Sequence, residues 1–412
     1  MEDQDRDHIS SRSHFSGRSD QELDEMLDEL RAGKIGINQP GQNSSEHDSE
    51  DTPEENDNAS CTGNAAKSKK GKSRKEGFNL RDEVISWIQV LVAAAIIAFC
   101  VNHFIIANSE VPTSSMETTI MAGDRVIGSR LSYKFGDPQR GDIAIFIYPD
   151  DEAKGIKTYY VKRIIGMPGD TIEIRDNQVY IDGVAAKNPE KMQLNYFVET
   201  DGSMLSEEQF RLLDVSKADR VLIDGSYNPQ YMSMLNIQPN ANGQYNPIYH
   251  FPLTQKTLEV AKKLPVVKRV VLEPDPVGTD SYYPVDYQTG WSRDNYGPLW
   301  IPKKGTTIPL TERNIALYKR CIVNYEHNKL EVKDSKVYIN GKPETTYTFK
   351  YDYYWMMGDN RHNSADSRSW GFVPEDHIVG KPIMIWLSLD KDRSLFDGGI
   401  RWNRMFRWVH PD

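Results

Sequence analysis

Three hydroxyl side chains, Thr113, Ser114 and Ser115, stand together in the stretch SEVPTSSMETTI, directly behind a long apolar run. A serine hydroxyl at its ordinary pKa is a poor nucleophile and needs a neighbouring base to take its proton. Histidine is the commonest such base. Beyond the apolar run the histidines are His250, His327, His362, His377 and His410, and none sits in a triad-like sequence. Lysine is the other option. Lys162 lies in YYVKRIIGMPGD, flanked by Val161, Ile164 and Ile165. An alternating strand puts Lys162 and Ile164 on one face. A lysine drawn into an apolar face loses solvation of its charged form, so its pKa falls from about 10.4. The neutral amine can then accept a serine proton without a third carboxylate. Taken alone, Lys162 reads more readily as a surface lysine whose stem covers apolar neighbours while its head stays in water. A third stretch, GDNRHNSADSRSWGFVP (358–374), gathers Gly, Asn, Asp, Arg and Ser ahead of a strand. Such density suits a rigid loop held by side-chain-to-backbone bonds and an Asp–Arg pair.

These residues need elements to position them. From Val111 onward the texture is β. DIAIFIY (142–148), YYVKRIIG (159–166) and TIEIRDNQVYIDG (171–183) alternate or run apolar between Gly, Pro and Asp turns. KPIMIWLSL (381–389) is apolar on both faces and should lie centrally in a sheet. Helical patterns are few, with SEEQFRLLD (206–214) the clearest. IEIRDNQVYIDG (172–183) aligns without gaps to LEVKDSKVYING (330–341). One β-hairpin design is therefore expected twice, on either side of an insertion. The ending IRWNRMFRWVH (400–410) mixes Trp, Phe and Arg and suits either packing or a lipid interface.

The apolar run, Val84 to Ala107, spans about 35 Å as a helix, enough to cross a bilayer with some tilt. More than 80 residues precede it, so it does not read as a cleavable leader. Lysines in KSKKGKSRK (67–75) flank one side only, which predicts a cytoplasmic N-terminal tail and an external remainder. Residues 1–60 carry 17 acidic and 5 basic side chains and almost no aromatics, a composition that cannot bury a core. Within them only Asp20 to Arg31 has helical spacing. Cys61, Cys100 and Cys321 are the only cysteines, and one alone follows the apolar run, so no internal disulfide and no cysteine-based metal site is expected there.

Four segments in order after an anchor make this sequence resemble the bacterial type I signal peptidases: VPTSSM (111–116), RGDIAIF (140–146), YVKRIIGMPGD (160–170) and the 358–374 loop. The resemblance covers about a quarter of the outer region and leaves out the tail and most of the insertion. It implies a mainly β, membrane-anchored fold of antiparallel sheets with a single N-terminal transmembrane helix. The implied divisions are an acidic tail (1–83), the anchor (84–107), a catalytic β-domain (108–186 and 329–412) and an inserted region (187–328). Carried over residue by residue, the nucleophile falls on Ser115 and the lysine base on Lys162. Thr113 and the Ser115 N–H become the oxyanion donors. Ser364 orients the lysine, supported by Asp366 and Arg368. Shallow pockets for small residues at −1 and −3 of a signal peptide fall on Val111, Ile120, Tyr160 and Val161, with Met116 packed beneath. The implied partners are secreted preproteins and membrane lipid, on the outer face of a cell's inner membrane. No cofactor, no metal and no nucleic acid are expected. Three departures stand out: Ser114 replaces a small residue or glycine, METTI lacks a proline near Thr118, and His362 replaces a residue that is often aspartate.

Two other readings compete. Ser388 to Lys391 has the Ser-x-x-Lys spacing of penicillin-recognising enzymes, but the Lys-Thr-Gly partner is missing, since Lys304-Gly305-Thr306 has the wrong order. An inactive anchored scaffold is the non-enzymatic alternative, and intact Ser115, Lys162 and Ser364 weigh against it.

Overall fold

A computed structural model describes residues 80–100, 106–226, 228–275, 282–285, 287–390 and 398–410. The acidic tail with its expected short helix, and the basic patch at 67–75, lie outside the described residues. The apolar run forms one helix, Leu80–Cys100, whose window Glu83–Cys100 is long and apolar enough to cross a membrane. The expected span to Ala107 is too long at its C-terminal end. Ile106 and Ala107 already belong to a strand, Ile106–Glu110, and Ala107 is buried in a core with Val126 and Ile145. An apolar pair beside a polar loop cannot be assigned to lipid or core by hydropathy alone.

The remaining described chain is built from antiparallel sheets, as expected. The largest runs in the order Ile106–Glu110, Asp124–Ser129, Ile378–Ser388, Ile143–Ile147, Tyr159–Gly166, Tyr353–Met357, Val373–Pro374. Ile378–Ser388 is central, as its two apolar faces require. One apolar cluster holds Val111, Met116, Ile143, Ile145 and Val161. A second holds Ala144, Phe146, Ile164, Met356 and Trp370. Residues alternating along Ile143–Ile147 divide between the two, the period-two rule seen in packing.

The repeated sequence does fold twice in the same way. Thr171–Arg175 pairs with Gln178–Ile181, and Leu330–Lys333 pairs with Lys336–Ile339. Both central turn residues have positive φ in each hairpin: Asp176 and Asn177 at 46° and 68°, Asp334 and Ser335 at 50° and 61°. This is the turn whose twist matches paired strands. Both hairpins feed one aromatic-rich core, with Ile172, Ile174, Val179 and Ile339 beside Tyr296, Tyr353, Trp355 and Phe372.

The inserted region contributes two things. Residues 193–272 form a separate sheet in the order Val267–Leu272, Gln193–Thr200, Ile248–Thr254, Val221–Ile223, packed on Phe197, Met232 and Ile248. Later, Tyr296–Trp300 pairs with Thr171–Arg175, and Leu317 and Tyr318 of the helix Glu312–Arg320 enter the hairpin core. The expected boundary at 328 therefore cuts through a shared core. The helix expected at 206–214 is Glu207–Leu212, started by a Ser206–Gln209 capping box. Gln255–Lys263 and Glu312–Arg320 are further helices that sequence reading passed over.

Candidate active site

Ser115 sits in the loop 111–123, between the paired strands Ile106–Glu110 and Asp124–Ser129. The loop base is closed by Val111 N–H to the Asp124 carbonyl at 3.0 Å and Gly123 N–H to the Val111 carbonyl at 2.8 Å. Met116 and Ile120, both essentially buried, root it in the core. Its far side is held by arginines from the C-terminal stretch. Asp124 accepts Arg404 Nη2 at 2.6 Å, Ser388 Oγ at 2.6 Å and the Met121 N–H at 2.8 Å. Arg401 Nη2 donates to the carbonyls of Ala122 and Leu389, each at 2.6 Å. In the ending IRWNRMFRWVH, Arg401 and Arg404 thus turn inward while Trp402, Phe406 and Trp408 remain exposed. Thr118 takes φ = +67°, a conformation costly for a β-branched side chain. Its Oγ1 donates to the Lys191 carbonyl at 3.2 Å, tying the loop to the inserted region.

Lys162 lies in the strand Tyr159–Gly166, opposite Ala144. It is 2% exposed, and Ile164 on the same face is fully buried. Lys162 Nζ is hydrogen-bonded to Ser115 Oγ and lies 3.3 Å from the Val161 carbonyl. Burial pushes the lysine pKa down to about 8; the nearby Asp366 and Asp359 carboxylates oppose the shift and Arg368 adds to it. Thr113 Oγ1 is 3.3 Å from Ser115 Oγ. Ser114 O accepts the Glu117 N–H at 2.9 Å and Asn360 Nδ2 at 3.5 Å. Because the peptide is trans, the Ser115 N–H points the opposite way. Among the described residues it meets no acceptor.

The 358–370 loop grips the nucleophile's backbone. Asn360 N–H donates to the Ser115 carbonyl at 3.1 Å, and Asn363 Nδ2 to Ser114 Oγ at 3.0 Å. Ser114, one of the departures from the family pattern, is thus a loop anchor. A Cβ on Gly358 would stand 2.5 Å from the Ser115 carbonyl oxygen and 2.7 Å from Ser364 Cβ, so only glycine allows this approach. Asp366 and Arg368 form the expected buried pair, 2.8 Å, and Asp366 also accepts the Gly358 N–H at 3.2 Å. Burial would raise the Asp366 pKa, but Arg368 reverses this and holds the carboxyl below its ordinary range.

Ser364 departs from expectation. Its Oγ is buried, makes no hydrogen bond to Lys162, and sits beside Asp366, whose pKa it helps to lower. The pocket group divides as well. Val111, Tyr160 and Val161 line a cavity of about 90 Å³ together with Thr113, Ser115 and Lys162. Ile120 does not line it; fully buried, it packs below with Met116. A side chain four residues after Met116, on a turn whose Ile120 N–H returns to the Met116 carbonyl, follows Met116 into the core.

Sequence reading missed a second buried pair. Arg163 binds Asp359 through Nε–Oδ1 at 2.8 Å and Nη2–Oδ2 at 2.7 Å, and Asp359 also accepts Thr119 Oγ1 at 2.6 Å. The signal was present: Arg163 adjoins Lys162, and Asp359 follows Gly358. His362 is no base for Ser115. Its Nε2 is 3.0 Å from Asn177 Oδ1 and 3.3 Å from Asp294 Oδ1, and its Nδ1 accepts the Asn195 N–H at 3.3 Å. With Gln193 N–H to the Asp359 carbonyl at 2.9 Å and Arg361 N–H to the Gln193 carbonyl at 3.0 Å, this joins the loop to the inserted sheet. Among the described residues no acidic, histidine or cysteine cluster has metal-binding geometry.

The signal peptidase, peptidase S26 family model matches residues 84–227 and 344–387. The chain is similar to signal peptidase I of Buchnera aphidicola subsp. Acyrthosiphon pisum (strain APS), 26% identical over 324 residues, covering 74% of this chain and 76% of the relative. It is also similar to the probable signal peptidase I-2 of Synechocystis sp., 36% identical over 102 residues (24% and 47%), and to signal peptidase I S of Bacillus subtilis, 32% over 116 residues (28% and 59%). Family model and relatives alike point to a signal peptidase, a serine endopeptidase of the peptidase S26 kind.

Proposed function

We propose that this protein removes N-terminal signal peptides from exported preproteins, with Ser115 as nucleophile and Lys162 as general base. The observation that carries the reading is the buried Lys162 amine hydrogen-bonded to Ser115 Oγ, with its pKa lowered to about 8. Neutral Lys162 takes the Ser115 proton as Oγ bonds to the scissile carbonyl carbon. The oxyanion that forms is met by the Ser115 N–H and Thr113 Oγ1. Collapse breaks the C–N bond, and the Lys162 ammonium returns its proton to the departing amine. Water, deprotonated by the same lysine, then cleaves the acyl-serine ester. Ser364 Oγ, beside Asp366 and without a hydrogen bond to Lys162, would have to turn toward the transient ammonium to accept from it. Asp366 with Arg368, and Asp359 with Arg163, hold the loop beneath it.

Val111, Tyr160 and Val161 form the receiving surface for the substrate. Their cavity of about 90 Å³ is far below the ~300–1,000 Å³ of drug-sized sites, which favours short side chains at −1 and −3. The helix Leu80–Cys100 is the anchor, with the tail cytoplasmic and the catalytic part outside. Exposed Trp402, Phe406 and Trp408 suit a lipid interface. Anchoring enzyme and substrate in one thin layer raises their effective concentration. The test is preprotein processing by Ser115→Ala and Lys162→Ala proteins that remain folded. Both should be inactive. Normal processing by Lys162→Ala would remove the lysine from the mechanism.

A further inference from the structure

Behind the catalytic loop lies a cavity of about 480 Å³, inside the ligand-site range of roughly 300–1,000 Å³. Neither Ser115 nor Lys162 lines it. One wall is apolar, made by Ile164, Val179, Ile181 and the short strand Val184–Ala185. The lining also carries the cations Arg140, Arg163, Lys187 and Arg361, of which Arg163 and Arg361 are buried.

Arg163, Arg361 and Arg368 are each 2% exposed, while Asp359 and Asp366 are 1% and 0% exposed. Of these five buried groups, Arg361 alone has no ion-pair partner. Asp359 is taken by Arg163 and Asp366 by Arg368. The Arg361 side chain makes a single hydrogen bond, Nε to the Gly358 carbonyl at 3.2 Å, and no carboxylate pairs with it among the described residues. Asp142, the acid that lines the cavity, is bound to Lys381 at 2.5 Å. Burial, and then Arg368, push the Arg361 pKa down to about 10, against the opposing pull of Asp359 and Asp366. A buried unpaired charge is costly, so such a guanidinium is kept where an anion can reach it.

We propose that this cavity binds a small single-chain amphiphile, its carboxylate or phosphate head paired with Arg361 and its acyl chain against Val179, Ile181 and Ala185. The guanidinium offers the paired donors that suit either head group. Because the Arg361 N–H and Nε also hold the Gln193 and Gly358 carbonyls, occupancy bears on the loop that carries Asn360.

Equilibrium dialysis of the full chain in a nonionic detergent, with radiolabelled octanoate as probe and detergent alone as blank, tests this. About one equivalent of octanoate should bind, and octanamide, which has the same chain without charge, should not displace it. Lysophosphatidylglycerol, a single-chain lipid, added to the same micelles separates the sources: displacement identifies a lipid, and none identifies a free monoacyl acid. Arg361→Met and Ala185→Trp should each weaken octanoate at least about tenfold. Ala185 is exposed and far from the nucleophile loop in sequence, so Ala185→Trp decides alone should Arg361→Met fail to fold. Equal binding of octanamide, retention by a folded variant of either kind, or no binding above the blank overturns the proposal.

Discussion

Replacing Lys162 by methionine should destroy activity and strengthen the fold. The folded lysine titrates near about 8 against 10.5 unperturbed. The unfolded chain therefore binds more protons across that window, and native stability rises with pH from about 8 to about 10.5. Below about 8 both states carry the proton, and holding it in the fold costs about 2.5 units, or ~3 kcal/mol at ~1.4 kcal/mol per unit. Methionine fills similar space without charge. It leaves Ser115 Oγ without its lysine partner, a loss of about 1 kcal/mol. The net gain near pH 7 is then ~2 kcal/mol, or a Tm higher by about 4 °C or more. Thermal unfolding of parent and Lys162→Met protein, in the same detergent at a series of pH values, reads this directly. The gap should shrink as pH passes from about 8 to about 10.5. A variant less stable than its parent at pH 7, or a gap that ignores pH, refutes a buried lysine with a depressed pKa.

Gly358→Ala should abolish preprotein cleavage, because the new Cβ meets the Ser115 carbonyl oxygen at 2.5 Å; an active variant would show that the loop can withdraw without moving the nucleophile. Asp359→Asn should cost about 3–5 kcal/mol in chemical denaturation, since it strands the buried Arg163 charge. Pairing it with Arg163→Met should recover part of that loss, and purely additive losses would argue against the ion pair. Thr118→Asn should raise stability by on the order of 1 kcal/mol, because asparagine accepts positive φ where threonine is strained. A loss of stability would mean that the Thr118 bond to Lys191 outweighs the strain.

Much of the site was legible because its chemistry is local in sequence. Thr113 and Ser115 are two residues apart. Lys162 advertises burial by sitting among Val161, Ile164 and Ile165. Asp366 and Arg368 share one loop. The doubled hairpin was legible because its turns demand residues that tolerate positive φ. What failed depends on contacts between distant segments. Ile120 was expected at the cavity wall, yet its turn sends it beneath Met116. Ser364 faces Gly358 without reaching Lys162 by a hydrogen bond. Arg404 meets Asp124 from 280 residues away, a pairing that no local pattern announces. The insertion looked separable because hydropathy cannot show that Tyr296–Trp300 completes a sheet begun at Thr171.

The pH dependence of kcat/KM for an Ala-x-Ala peptide, measured on the full chain, reports the free enzyme's base. With Lys162 at about 8, its neutral fraction rises from about 9% at pH 7 to about 91% at pH 9, so the rate should climb about tenfold between them. A profile already level at pH 7, with its rising limb at about 6 to 7, would assign the proton to a histidine and contradict the Ser115–Lys162 pair.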